Sequence, residues 1–133
     1  MSNVKQVIVM RKDLKNTKGE KVRSGKLIAQ GAHASMKVIL DMDDGKVLNY
    51  LKVQLNDDLQ KWIKGIFTKI CLAAKDKGDL LESYNKAKEA GLPCALILDS
   101  GKTEFSEPTY TCCAIGPAKS EDIDKITGHL KLF

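Results

Sequence analysis

The chain has 133 residues, 43% of them apolar and 29% charged, and its 22 Lys and Arg against 17 Asp and Glu give a net charge of +5. That length predicts a single domain, 1–133, burying roughly two thirds of its unfolded surface, and argues against a second independent core. No apolar run approaches the roughly 20 residues of a membrane span, and MSNVKQVIVMRKD has no secretory pattern, so a soluble, cytoplasmic protein with no membrane partner is expected.

In chain order, VKQVIVM (4–10) is a β-branched run that becomes nearly continuous at its end, as in a strand covered on both faces. RKDLKNTKGEKVRS (11–24) is charged and aperiodic and predicts a long exposed loop, with Ser24 as N-cap of the helix that follows. The chain up to Lys26 holds Lys5, Arg11, Lys12, Lys15, Lys18, Lys21 and Arg23 against only Asp13 and Glu20. Such a cluster suits a polyanion, although solubility alone also favours exposed lysines.

GKLIAQGAHASM opens the predicted first helix. Leu27, Ile28, Ala32, Ser35, Val38 and Ile39 are its expected packing surface, with Ala29, Gly31 and Ala34 allowing close approach to a neighbour. Lys26, Gln30 and His33 stand four and then three residues apart, which places a cation, an amide and an imidazole on one face. Residues 41–56 are hard to assign, with a turn signal at Asp44-Gly45 and a segment, KVLNYLKVQL, that fits either period. A short helix is predicted at 57–64, opened by Asn56 and anchored by Leu59, Trp62 and Ile63.

A strand at 67–74 precedes an amphipathic helix at 77–92 that ends at Gly91 before Pro93. Strands at 94–98 and 109–115 follow, then a last helix at 120–128 with Ser120 as N-cap and Glu121 and Asp122 in its first turn. The alternation predicts an α/β protein with a mainly parallel sheet. Because SGKTEFSEP, between the last two strands, holds no helix, the sheet is expected to be mixed. Cys71, Cys94, Cys112 and Cys113 lie in apolar runs without C-x-x-C spacing and are expected to be reduced, buried thiols, the adjacent pair on opposite faces of its strand.

Open α/β sheets place ligands beyond the carboxyl ends of their strands, which singles out LILDSGKTEF. Asp99 leaves the third strand into a polar loop of Ser100, Gly101, Lys102 and Thr103. A P-loop would need Gly at position 96, where Leu stands, and a helix where EFSEPTY follows. The first helix begins at the same end of the sheet, so Lys26, Gln30, His33, Asp99 and Thr103 are expected to converge on one cleft. That group suits binding of a polar anion or hydrolysis of an activated ester. No G-x-S-x-G elbow surrounds Ser35 or Ser100, and the two histidines lie in unrelated segments, so no metal set is expected. Water is the expected nucleophile, with His33 or Asp99 accepting its proton and Lys26 with backbone N–H groups stabilising the oxyanion.

VIVMRKDL, SGKLIAQGAHAS, LILDSGKTEF, IGP at 115–117 and the terminal TGHLKLF, in that order, resemble the second type of peptidyl-tRNA hydrolase, the archaeal and eukaryotic form. The resemblance spans most of the chain. It implies a three-layer α/β/α fold on a four-stranded mixed sheet, no cofactor, and cleavage of the ester between peptide and tRNA in peptidyl-tRNA. It carries catalytic roles to Lys26, Gln30, His33, Asp99 and Thr103, and a turn to Gly101. Lys12 and Lys15 become substrate-binding candidates for the tRNA phosphates, and a homodimer is expected because members often pair.

Two segments depart from the family pattern. NTKGEKVRS is longer and adds Lys18, Lys21 and Arg23, and 41–56 looks expanded. The rival readings are a catalytically silent RNA-binding or adaptor protein on the same fold, marked by a damaged cleft, and a hydrolase of some other acylated small molecule that works without tRNA.

Overall fold

The structure, a computed structural model, describes residues 3–133. Its elements are β1 (Val4–Arg11), α1 (Ser24–Leu40), α2 (Asp57–Lys64), β2 (Lys69–Ala74), α3 (Lys77–Glu89), β3 (Cys94–Asp99), β4 (Thr109–Lys119) and α4 (Ser120–Thr127). Among the described residues, no helix is long and apolar enough to cross a membrane.

The four strands lie in the order β2-β1-β4-β3. β1 and β2 pair in parallel, while β4 runs antiparallel to both β1 and β3. The expectation of a mainly parallel sheet is therefore corrected to one parallel pair and two antiparallel ones. The reason lies in the helix-free link 100–108: without a crossover helix, β4 must return antiparallel beside β3, and it takes the central slot next to β1. β1 and β3 still point the same way, so their carboxyl ends share one edge of the sheet.

Alternation along the strands builds two cores. On one face Ile8 and Met10 of β1, Ile97 of β3 and Cys112 of β4 meet Ala34 and Val38 of α1. On the other, Val7, Val9, Cys113 and Ile115 meet Leu80 and Ala87 of α3 and Ile123 and Ile126 of α4. This is the three-layer arrangement, with Cys112 and Cys113 on opposite faces as expected. Buried Gln6 bridges the layers, its amide donating to the Gly116 carbonyl at 3.1 Å and its oxygen accepting from the Ser35 hydroxyl at 2.6 Å. β4 runs past position 115 to Lys119; where its register with β1 shifts, Gly116 takes φ +99 and a Cβ there would lie 2.5 Å from the Lys5 carbonyl oxygen.

Several local expectations change. Ser24 and Ser120 are the first residues of their helices rather than N-caps; Arg23 and Lys119 hold the cap positions in extended conformation and make no side-chain cap. For α4 the cause is direct succession, since the last residue of β4 is itself the cap position. Asn56 does cap α2, accepting from the Leu59 N–H at 2.9 Å, and Asp76 caps α3 through the Asp79 N–H. α1 lays Gln30, Gly31, Ala34 and Val38 on the sheet, and leaves Ile28 and Ala32 outward. Small side chains let the helix approach there, which rotates Ile28 to 72% exposure. Ile63 is likewise exposed and does not anchor α2.

β2 starts at Lys69, not at 67, because Phe67 occupies a left-handed turn at φ +64. α3 stops at Glu89, before Gly91 at φ +74. Cys71, on edge strand β2, is exposed and Cys94 is half-buried, so only two of the four free cysteines match the expectation of buried thiols. The segment 11–23 is not a plain exposed loop: Leu14 and Val22 are buried, Lys15 and Lys21 form a β-bridge, and the Asn16 side chain accepts from the Lys18 and Glu20 N–H groups. It is a folded finger standing beside the end of β3.

Candidate active site

β3 delivers Asp99 to the edge of the sheet where α1 begins, and the first turn of α1 carries Lys26 toward it. The Lys26 ammonium donates to Asp99 Oδ2 at 2.7 Å and to Thr103 Oγ1 at 3.0 Å. One helical turn on, Gln30 Nε2 donates to the same Asp99 oxygen at 3.0 Å. The backbone N–H of Gly101 reaches Asp99 Oδ1 at 2.9 Å. Gly101 sits at φ +79, and a Cβ there would lie 2.4 Å from the carbonyl carbon of Glu107, so only glycine closes this loop without displacing its backbone.

The Lys26 and Asp99 side chains are 16% and 10% exposed, covered but open at one side. Phe105, buried, forms part of that cover, with Lys26 Nζ 5.8 Å from its ring centroid. Burial pushes the Asp99 carboxyl up, but the Lys26 hydrogen bond, the Gly101 N–H, the Lys26 charge and the Gln30 amide outweigh it and hold the group below its ordinary value. Asp99 is therefore a fixed anion.

The hydrogen-bond inventory shows what remains to be used. An ammonium has three donors, and Lys26 spends two. Thr103 accepts from Lys26, which leaves its own proton free to donate. Asp99 Oδ1 carries a single donor and so retains accepting capacity. Two donors and one acceptor of this group thus remain unspent.

Of the five residues expected to converge, the structure joins Lys26, Gln30, Asp99 and Thr103. His33 makes no hydrogen bond to that group among the described residues. It is exposed, about 4.5 Å further along the helix axis than Gln30, and borders a shallow depression with Ala32, Lys37 and Ile97. Lys12 and Lys15 are both exposed on the finger. Glu104 ties that finger to the site loop, pairing with Arg23 at 2.7 Å while its carbonyl accepts from the Thr17 N–H at 3.0 Å.

Sequence reasoning missed Thr111. This buried β4 residue donates from its hydroxyl to Gln30 Oε1 at 2.5 Å. It is the unpaired residue where the register shifts, with Ile97 facing Cys112 and Leu98 facing Tyr110. A polar residue inside the apolar run TYTCCAI was the only available hint, and a bulge leaves no local sequence mark.

A depression of about 160 Å³ separates the finger from residues 105–109, lined among others by Arg11, Lys15, Thr17 and Glu107. A larger apolar groove of about 560 Å³, with Met10, Ile28, Phe67 and Phe133 on its walls, contains none of the polar group. No cluster of three or more His, Cys, Asp or Glu side chains able to hold a metal occurs among the described residues.

Comparison with known proteins shows the family to which the chain belongs. The sequence model of the family Peptidyl-tRNA hydrolase PTH2 matches residues 4–133. A peptidyl-tRNA hydrolase of Methanocaldococcus jannaschii is 39% identical over 130 residues, covering 98% of this chain and all of the relative. One from Sulfolobus acidocaldarius is 40% identical over 130 residues with the same coverage. A probable peptidyl-tRNA hydrolase 2 of Dictyostelium discoideum is 38% identical over 134 residues, covering all of this chain and 56% of that protein. A match that runs from β1 through the terminal residue leaves no element of the fold outside it, and the chain belongs to the peptidyl-tRNA hydrolase PTH2 family.

Proposed function

We propose that this protein hydrolyses the ester between peptide and tRNA in peptidyl-tRNA, releasing free tRNA by attack of water. One observation carries the reading: Lys26 is clamped between Asp99 and Thr103 with a donor to spare. The spare Lys26 N–H and the Thr103 hydroxyl polarise the ester carbonyl and hold the oxyanion of the tetrahedral intermediate, while the Asp99 anion keeps the ammonium in place. A water held by Asp99 Oδ1 attacks the carbonyl carbon. Its proton passes to the carboxylate, which holds it weakly and gives it up to the departing ribose oxygen as the ester bond breaks. Gln30 steadies Asp99, Gly101 shapes the loop, and His33, farther along α1, contacts substrate rather than the reacting atoms. No metal or other cofactor enters this scheme, and turnover is expected to persist with chelator present.

The finger supplies the tRNA contact. Lys15 and Lys21 face each other across a bridge, a like-charge arrangement that costs stability, and neither has an ion pair among the described residues. A phosphate between them removes that repulsion. Lys12 and Lys18 extend the same basic surface, so the finger positions the tRNA backbone without reading sequence. The setting is the cytoplasm, where translation takes place. A homodimer is also part of the proposal, because Ile28, Met36, Leu40 and Phe67 leave exposed apolar surface for a second copy; sedimentation velocity showing only monomer at micromolar concentration removes it.

The test is release of free tRNA from peptidyl-tRNA by purified protein. Asp99→Asn and Lys26→Ala are expected to lower kcat by at least about 10²-fold while tRNA binding stays within a few-fold. Unchanged turnover in both variants sinks the mechanism. A catalytically silent adaptor requires a damaged cleft, and this one is assembled. Wild-type protein that binds tRNA without releasing it would nevertheless restore that alternative.

A further inference from the structure

We propose that Thr111 is a positioning residue for this site, a buried hydroxyl placed by a β-bulge that holds the Gln30 amide so that its NH₂ group faces Asp99. The inference rests on the hydrolase reading for its kinetic consequence, but not for its structural one.

Gln30 is 2% exposed, so both ends of its amide need partners. Its oxygen takes the Thr111 hydroxyl at 2.5 Å, and its nitrogen donates to Asp99 Oδ2 at 3.0 Å. A hydroxyl can serve either end of an amide, whereas an ionised carboxylate accepts only. Together the two partners leave one orientation. The bulge between β3 and β4 is what turns Thr111 toward α1: in regular alternation it would point away from the face that Cys112 occupies, yet both residues reach Gln30, Cys112 through its thiol to the Gln30 backbone carbonyl at 3.3 Å. Bulges beside functional sites commonly re-aim one side chain in this way.

Without the hydroxyl, Gln30 Oε1 becomes a buried acceptor with no partner, and the amide relaxes by rotating or withdrawing. Asp99 then loses one of its three donors, and Lys26 loses part of its fixed geometry. Lys26, from α1, is the one charged group bonded to Asp99 among the described residues. Glu104 in the loop is engaged with Arg23, and the Cys112 thiol beside Gln30, pushed up to about 12 chiefly by burial, stays protonated. A change at Thr111 is therefore felt at Asp99 through Gln30.

The test compares Thr111→Val, which keeps the shape and removes the hydroxyl, with Thr111→Ser, which restores it. Carboxyl-carbon NMR is expected to show Asp99 titrating higher in Thr111→Val and as wild type in Thr111→Ser, with Asp13, held separately by Arg11, unmoved in both. With peptidyl-tRNA, kcat should fall roughly ten-fold in Thr111→Val with KM within two-fold, and recover in Thr111→Ser. An Asp99 titration and kcat unchanged in Thr111→Val, or a Thr111→Ser variant as impaired as Thr111→Val, overturn the proposal. Because the titration needs no substrate, failure of the hydrolase reading leaves it intact. If Thr111→Val does not fold, exchange of the wild-type Gln30 side-chain amide decides: it should be slower than that of exposed Gln54, and equal rates overturn the lock.

Discussion

Asp99 gathers three hydrogen bonds on two oxygens at the rim of the sheet, and its behaviour with pH follows from them. Its folded value lies below the ordinary aspartate value of 3.8, so the ionised form is the one the fold favours. The resulting stability is fully present above 3.8 and is lost as pH falls through the lower folded value. Asp99→Asn is expected to cost roughly 1–3 kcal/mol in urea unfolding at pH 7, with the gap from wild type closing below pH 3.8. A constant gap would mean that the charge contributes nothing. Lys26 and Asp99 were readable in the sequence because Lys26 shares a helical face with Gln30 and His33, and Asp99 ends the apolar run of a strand. His33 shared the helical face, but the same spacing carries it about 4.5 Å further along the axis than Gln30, away from Asp99. That is why one turn separates an engaged Gln30 from an exposed imidazole.

The loop after β3 and the caps of the helices show how elements position the site. Gly101→Ala places a Cβ 2.4 Å from the Glu107 carbonyl carbon at φ +79, so the loop must shift and the Gly101 N–H must leave Asp99. A loss of roughly 1–3 kcal/mol is expected in thermal melts. A kcat reduced at least roughly ten-fold should accompany it, and a variant of wild-type activity would show that the turn is not what holds Asp99. Asn56→Ala offers the contrast. It removes the side-chain acceptor for the Leu59 N–H and is expected to lower stability by about 1 kcal/mol while leaving kcat untouched, because α2 lies outside the site. The Asn56 cap was legible because a loop residue precedes the helix. Ser24 and Ser120 misled because composition does not say where the extended segment before a helix ends. The outward turn of Ile28 was equally hidden, since a helix with small residues on one flank can seat either flank against a sheet.

For the whole molecule, the finger and the cleft act as one body through Glu104, which ties residues 17 and 23 to the site loop. Replacing Lys15, Lys18 and Lys21 by alanine is expected to weaken tRNA binding and flatten its salt dependence by roughly 0.7–0.9 in log-log slope for each phosphate that is no longer neutralised. kcat at saturating substrate should stay at the wild-type value, and an unchanged slope would place the tRNA elsewhere. The sequence alone determined the α/β class, the order of strands and helices, the polar loop after β3, and family-specific motifs along most of the chain, because periodicity and motif are local properties that survive without contacts. Tertiary structure alone decided three things. It placed β4 between β1 and β3, folded the first loop into a finger seated on Leu14 and Val22, and used a bulge to bring Thr111 onto Gln30. Each depends on which distant segments pack together, a choice made by the burial available to the whole chain and by no stretch of it separately.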